Sequence, residues 1–204
     1  MRLFLALIFF LPLVSQAQNF QVPAIRNHVV DKAFVINAAT ENELNAALAS
    51  VKRDTGVEMA VLTVKSMDGL TVEQAAMQVA EKWKLGTAEA DKGLLLFLSK
   101  NDRKLRFEIG YGLEGDFTDA EAGRIINNTM VPLLKQGDYN KAILAGTVQA
   151  IQQSVPNVDV ATYFSGGKQL VHYSPKKQKR KHKFLSTLFT ILMWVVMVLT
   201  MLPV

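Results

Sequence analysis

The last 21 residues, Phe184 to Val204 (FLSTLFTILMWVVMVLTMLPV), carry no charge, and no other feature restricts the fold of this chain as strongly. At ~1.5 Å per residue, a helix of that length spans the ~30 Å hydrocarbon core of a bilayer. The competing assignment is a helix buried in a soluble core. The unbroken run, with Trp194 and its methionines, fits lipid better. The other end is apolar as well. Residues 1–17 (MRLFLALIFFLPLVSQA) place Arg2 before an apolar stretch broken by Pro12, with Ser15 and Ala17 at the −3 and −1 positions. This is the pattern of a secretory signal peptide cut after Ala17. As an uncleaved anchor the stretch is too short to span comfortably. The expected product is a single-pass membrane protein with its body on the extracytoplasmic, periplasmic side.

The net charge of +5 has to be located before it means anything. Residues 176–183 (KKQKRKHK) hold six Lys/Arg and Arg2 one more, which leaves 16 Lys/Arg against 18 Asp/Glu between residues 18 and 175. The body is therefore mildly acidic, and no nucleic-acid partner is expected, because phosphate neutralisation needs a cationic face. The basic run precedes the apolar one on the side that positive-inside statistics disfavour. Signal-driven translocation overrides that preference for a single span. The run can then grip anionic lipid headgroups or serve as a solvated juxtamembrane linker. Cysteine is absent, which excludes disulfides, thiolate zinc sites and cysteine nucleophiles together.

Between the two ends the pattern gives one domain over 27–155 and a linker over 156–183, punctuated by Pro156, Gly166-Gly167 and Pro175. Thr40-Glu41-Asn42-Glu43 is a capping box for a helix to Thr55, with Leu44, Ala47, Leu48 and Val51 at helical spacing. Val57–Val64 and Gly93–Ser99 are apolar strands of a sheet interior. Thr71–Gln74 caps a helix between them, so the unit is long enough for a right-handed parallel crossover. Lys100–Arg103 turns the chain into Lys104–Ile109, where apolar and charged residues alternate as in a hairpin partner with one exposed face. Thr118–Glu121 opens a helix to Lys135, and Asp138 opens a last one to Ser154. An earlier edge strand falls near His28–Val35. The fold class is α/β: a three-layer α/β/α sandwich with a mixed central sheet, plus the C-terminal transmembrane helix.

Gly110-Tyr111-Gly112-Leu113-Glu114-Gly115 matches GxGxxG between a strand and a helix, yet no dinucleotide is expected there. In the nucleotide fingerprint the last glycine already packs within the opening helix. Here Asp116, Phe117 and Thr118 intervene, and Glu114 and Asp116 repel phosphate. The glycines instead shape a tight loop whose backbone can approach something cationic. Around it lie Glu114, Asp116 and Asp119, with Asp91 ahead of a strand and Asp31 in the N-terminal segment. Carboxylates gathered by loops at strand ends repel one another unless a cation neutralises them, and hard oxygen ligands suit calcium or magnesium. Against this stands a plain assignment in which Asp119 and Glu121 favour a helix N-terminus and Asp91 completes a turn. There is no G-x-S-x-G elbow, no H-E-x-x-H and no P-loop lysine motif. His28, His172 and His182 are isolated.

Val30-Asp31-Lys32-Ala33, Asp91-Lys92-Gly93 with Leu94–Leu96, and Gly110–Gly115 followed by Thr118-Asp119-Ala120 together resemble the TPM domain family over residues 28–154. Signal, domain and C-terminal run resemble its bacterial, membrane-anchored YgcG-like branch. The departures are Phe34 where a glycine is common, Ile36 for leucine, and no glycine-rich tail after the apolar run. The resemblance implies an α/β/α sandwich in which Asp31, Asp91, Glu114 and Asp119 line a pocket for calcium or magnesium. It also implies two functions. The first is an accessory or assembly module that binds a divalent cation and steadies a membrane-protein partner. The alternative is a weak metal-dependent phosphatase acting on phosphate monoesters, and the missing cysteine, aspartyl-nucleophile motif and positioned histidine put the accessory function first.

Overall fold

Two apolar strands set the architecture. The computed structural model describes residues 20–173 apart from Glu89 and Gly166, so the expected signal peptide and the 184–204 helix lie outside the described residues. Among the described residues no helix is long and apolar enough to cross a membrane. Strands β2 (Glu58–Val64) and β3 (Gly93–Ser99) are buried almost throughout and pair in parallel, Glu58 opposite Gly93 through Val64 opposite Ser99. The short β1 (Val29–Asp31) adds in parallel to β2, and β4 (Lys104–Ile109) adds antiparallel to β3. The spatial order is β1-β2-β3-β4, the mixed sheet expected from the hairpin pattern.

Alternate residues of each strand enter different helical layers. Met59, Val61, Leu94 and Leu96 pack with Leu44, Ala47, Leu48 and Val51 of α1 (Ala38–Thr55) and with the later helices. Ala60, Leu62, Leu95 and Phe97 pack with Ala75, Ala76 and Val79 of α2 (Val72–Trp83). Helices α1 and α2 therefore cover opposite faces while β1, β2 and β3 advance in one direction. The two crossovers must then have opposite hands, and one of them departs from the right-handed rule.

Local chemistry sets most element ends. The capping boxes at Thr71 and Thr118 form as expected, with Gln74 and Glu121 closing them. The one proposed at Thr40 does not. Asn37 caps α1 instead, accepting from the Thr40 amide at 2.8 Å, so the helix begins at Ala38. The displaced Glu43 accepts from the Ser165 amide at 2.7 Å. Helix α3 (Asp119–Ile125) continues through a π-helical turn at Ile126–Met130 into α4 (Val131–Leu134). Pro132, in the first turn of α4, has no amide to donate, and such a gap in the i→i−4 ladder is where wide turns occur. Met130 is fully buried there against α5 (Tyr139–Ser154), where a Cβ on Gly146 would stand 2.5 Å from its sulfur.

The body is larger than the expected 27–155. On the N-terminal side Phe20 meets Phe97 edge-to-face at 6.1 Å, and the Trp83 indole donates to the Pro23 carbonyl at 2.8 Å. On the C-terminal side the first part of the expected 156–183 linker is packed rather than solvated. Val160, Phe164 and Leu170 are buried in the α1/α5 layer. Gln149 on α5 donates to the carbonyls of Leu170 and Tyr173, at 3.0 and 2.9 Å, across a short α6 (Gly167–Val171). Pro156 lies in a turn and Gly167 begins α6, so these two signals separate docked helical pieces; Gly166 and Pro175 lie outside the described residues.

Candidate functional site

The loop between β4 and α3 is fastened at three points. Leu113 and Phe117 are 1% and 0% exposed, and Phe117 meets Phe107 of β4 edge-to-face at 5.7 Å. The third fastening is Asp91. Its carboxylate accepts from the Tyr111 amide at 3.0 Å and its carbonyl from the Gly112 amide at 3.1 Å. Asp91 itself adopts φ +44°, a left-handed conformation that Asp tolerates better than most side chains. The contact leaves no room for side chains. A Cβ on Gly110 would lie 2.4 Å from the Asp91 carbonyl oxygen, and one on Gly112 only 1.9 Å from that of Ala90. Gly115 faces open space. The first two glycines are thus steric requirements of backbone packing.

What the loop presents is aromatic and acidic. Tyr111 is 80% exposed, and Glu114, Asp116 and Asp119 are exposed around it. Beside the loop lies a cavity of about 500 Å³ lined by Leu85, Gly86, Thr87, Asp91, Glu108 and Gly110. At its edge the Arg106 guanidinium donates to Glu108 at 2.8 Å. That bond, opposed by partial burial and reinforced by the charges of Glu108, Asp119 and Glu73, raises the Arg106 pKa above its ordinary value. Glu121 is held below the usual carboxylate value, first by the Thr118 amide and then by its hydroxyl. This is the capping assignment made from sequence.

The four residues expected to share one cation do not share one place. Asp31 ends β1 and is in register with Thr63 and, through it, Leu98. Asp91 precedes Gly93, at the opposite end of β3. Gly93 to Leu98 alone spans about 16 Å at ~3.3 Å per residue, so no single ion reaches both carboxylates. Asp31 is already engaged: it accepts from the Val35 and Ile36 amides at 2.9 and 2.8 Å and from the Thr63 hydroxyl. Its work is to close the 32–36 turn, in which Phe34 adopts φ +54°, the conformation that explains why glycine is common there. Asp91, Glu114 and Asp119 lie at one end of the sheet. Among the described residues no three His, Asp or Glu side chains are grouped closely enough to hold a metal ion. The four-carboxylate pocket therefore does not fit this chain. The error came from treating nearness to any strand end as nearness to the same end.

Two features were not anticipated. Tyr111 as an exposed tip was legible in retrospect from the flanking glycines, which remove neighbouring side chains. Arg106 and Glu108 fall on the exposed face of the hairpin strand, and the place of their ion pair beside the loop needs the pairing register.

A mixed four-stranded sheet with helices on both faces, and a glycine-shaped acidic loop pinned by an aspartate from the preceding strand connection, define a small α/β domain class. The chain belongs to the TPM domain family, whose model matches residues 29–153. Among solved structures it is similar to the N-terminal domain of a Porphyromonas gingivalis (P. gingivalis) protein, at 33% identity and a TM-score of 0.59. That match covers 62% of this chain and 81% of the other. The N-terminal domain of a Corynebacterium glutamicum protein (21% identity, TM-score 0.51, 66% and 84% covered) and a protein of Bizionia argentinensis (20%, 0.51, 63% and 83%) share the fold. No curated protein matches significantly.

Proposed function

We propose that this TPM-domain protein is a membrane-anchored, extracytoplasmic docking module of the YgcG-like kind, steadying a membrane-protein partner through the 110–119 loop. One observation carries the reading. The loop is fixed from behind by Leu113, Phe117 and the Asp91 contacts, while Tyr111, 80% exposed, and three carboxylates point away from the fold. A preorganised aromatic tip loses little entropy on binding, and aromatic side chains carry much of the energy of protein interfaces. The carboxylates select a cationic counter-surface. A divalent cation enters the same way, drawing Glu114 and Asp119 toward Asp91. Because these ligands are exposed and not preassembled, binding is weak, in the millimolar range of loosely built calcium sites.

The test is photo-crosslinking from position 111 in the full chain in its native membranes, with Met77, an exposed residue on α2, as the comparison position. A discrete adduct from position 111 alone supports docking, and equal yields from both positions refute it. Phosphate-monoester turnover by the full chain that is lost in Asp91→Asn would replace docking by the phosphatase reading.

A further inference from the structure

At the opposite end of the sheet from Tyr111, the β3–β4 hairpin and the α4–α5 corner enclose a second cavity of about 400 Å³. Its apolar wall is Leu98, Leu105, Val131 and Leu134, with Tyr139 beside them. Lys100, Arg103 and Lys135 line the same space. Lys100 and Arg103 sit in the hairpin turn just beyond the strand ends, next to Leu98 and Leu105, which both belong to the layer containing α5. Lys104 also borders the cavity, but it alternates with Arg106 and Glu108 toward α2.

The hairpin separates its charges. Asp102 is not among the lining residues; it accepts from the Ser99 hydroxyl at 2.6 Å and the Met67 amide at 2.8 Å. No Asp or Glu lines the cavity, and among the described residues none of its cations lies within ion-pairing distance of a carboxylate. Arg103 adopts φ +54°, a conformation glycine or asparagine would take at lower cost. The turn thus holds an arginine where a smaller residue would sit at lower cost, beside two unpaired lysines and over an apolar wall.

We propose that this cavity binds a phosphate group carried on an apolar body. Arg103 engages the phosphate oxygens in the planar, forked geometry that guanidinium offers. Lys100 and Lys135 neutralise the remaining charge, and the leucines and Val131 take the apolar part. A free phosphate ion would use only half of the site. An anionic phospholipid and a soluble phosphate ester present the same chemistry. Chain layout favours the lipid. Thr129, two residues before Val131, donates to the Tyr173 carbonyl at 3.3 Å, and the Lys141 ammonium lies 4.5 Å from the Tyr173 ring. Tyr173 therefore lies near the cavity, and ten residues of sequence separate it from the uncharged 184–204 run.

The experiment titrates the full chain, in nonionic detergent, with hexyl phosphate by calorimetry. Saturable binding is expected, about tenfold or more tighter than inorganic phosphate. Arg103→Gly should weaken it by about tenfold or more, the worth of one charge-assisted hydrogen bond, without lowering the melting temperature, since glycine suits that turn. Lys32→Gln, which removes one exposed charge elsewhere, should bind as wild type does. Equal affinity for inorganic and hexyl phosphate, an unaffected Arg103→Gly, or an equal loss in Lys32→Gln would each overturn the proposal. Displacement of hexyl phosphate by dihexanoyl phosphatidylglycerol but not by dihexanoyl phosphatidylcholine assigns the site to anionic lipid. Failure of both lipids to displace it assigns the site to a soluble ester. Neither lipid arm involves Tyr111 or Asp91, so failure here leaves the docking function standing.

Discussion

Replacing Gly112 by alanine tests how the acidic loop is held. The added Cβ would lie 1.9 Å from the Ala90 carbonyl oxygen, whereas carbon and oxygen meet ordinarily at ~3.3 Å. The loop must withdraw by roughly 1.4 Å to restore that contact. The withdrawal breaks the Gly112 amide bond to the Asp91 carbonyl at 3.1 Å and strains the Tyr111 amide bond to its carboxylate at 3.0 Å. Overpacking costs about 1–3 kcal/mol, and each lost bond adds about 0.5–1.5 kcal/mol. Central values total about 4 kcal/mol, a fall in melting temperature of about 8–16 °C for a domain of this size. Gly115 is the control, with open space around it and no positive φ. Gly115→Ala should be neutral or stabilise by about 0.4–1 kcal/mol through the unfolded chain. Thermal melts followed by circular dichroism decide. If the two variants melt within about 2 °C of each other, the loop is not held by backbone packing on Ala90 and Asp91, and the rigid-tip argument falls with it.

Calcium at millimolar concentration should raise the melting temperature of the wild type and of Asp31→Asn alike, and leave Asp91→Asn unmoved; an Asp31→Asn protein that loses the response would restore the four-carboxylate pocket. Thr63→Val removes the hydroxyl that donates to Asp31 and should destabilise by about 1–3 kcal/mol in urea unfolding. Asp102 is held below the usual carboxylate value by the Ser99 hydroxyl and then the Met67 amide. Its folded pKa is depressed, so its stabilisation is full above the unfolded value of about 3.9 and disappears as pH falls through the lower folded one; acid titrations of Asp102→Asn should show a shallower loss of stability than wild type in that window. Gln149→Leu deletes the donor to Leu170 and Tyr173 and should make the 167–173 segment exchange its amides faster while β2 and β3 stay protected.

Much of this fold was legible because it rests on local signals. The runs at 57–64 and 93–99 are apolar, too short for a helix and bounded by turn residues, as buried strands are, and Thr71, Thr118 and Asp138 cap the helices they were expected to cap. Thr40 misled because Asn37, three residues earlier, offers an equally good cap and the chain uses the first. The 156–173 segment misled because its helical pieces, Val160–Tyr163 and Gly167–Val171, are too short to show a sustained periodicity, and only the neighbouring α1 and α5 explain the burial of Val160, Phe164 and Leu170. For the loop, sequence gave the right glycines and the wrong partner. The need for Gly110 and Gly112 lies in the carbonyls of Asp91 and Ala90, far upstream in sequence, and Asp31, similar in type and setting, closes a different turn. Residue type is written in the chain; which end of a strand it occupies is settled only by pairing.

The opposed hands of the two crossovers have a consequence for where such a domain can bind. In doubly wound sheets, helices reach both faces because the strand order reverses, and the two connections diverging at that reversal leave a crevice at the carboxyl ends of the strands. Here the sheet is covered on both faces while its order runs straight from β1 to β4, so no reversal of strand order occurs. The carboxyl ends of β1 and β2 are instead closed by their own chemistry, Asp31 against Thr63. The two places proposed above for recognition flank the antiparallel strand instead, the Tyr111 loop at its finish and the cationic hairpin at its start. The hand of one connection thus decides whether a sheet covered on both faces carries a switch point at all.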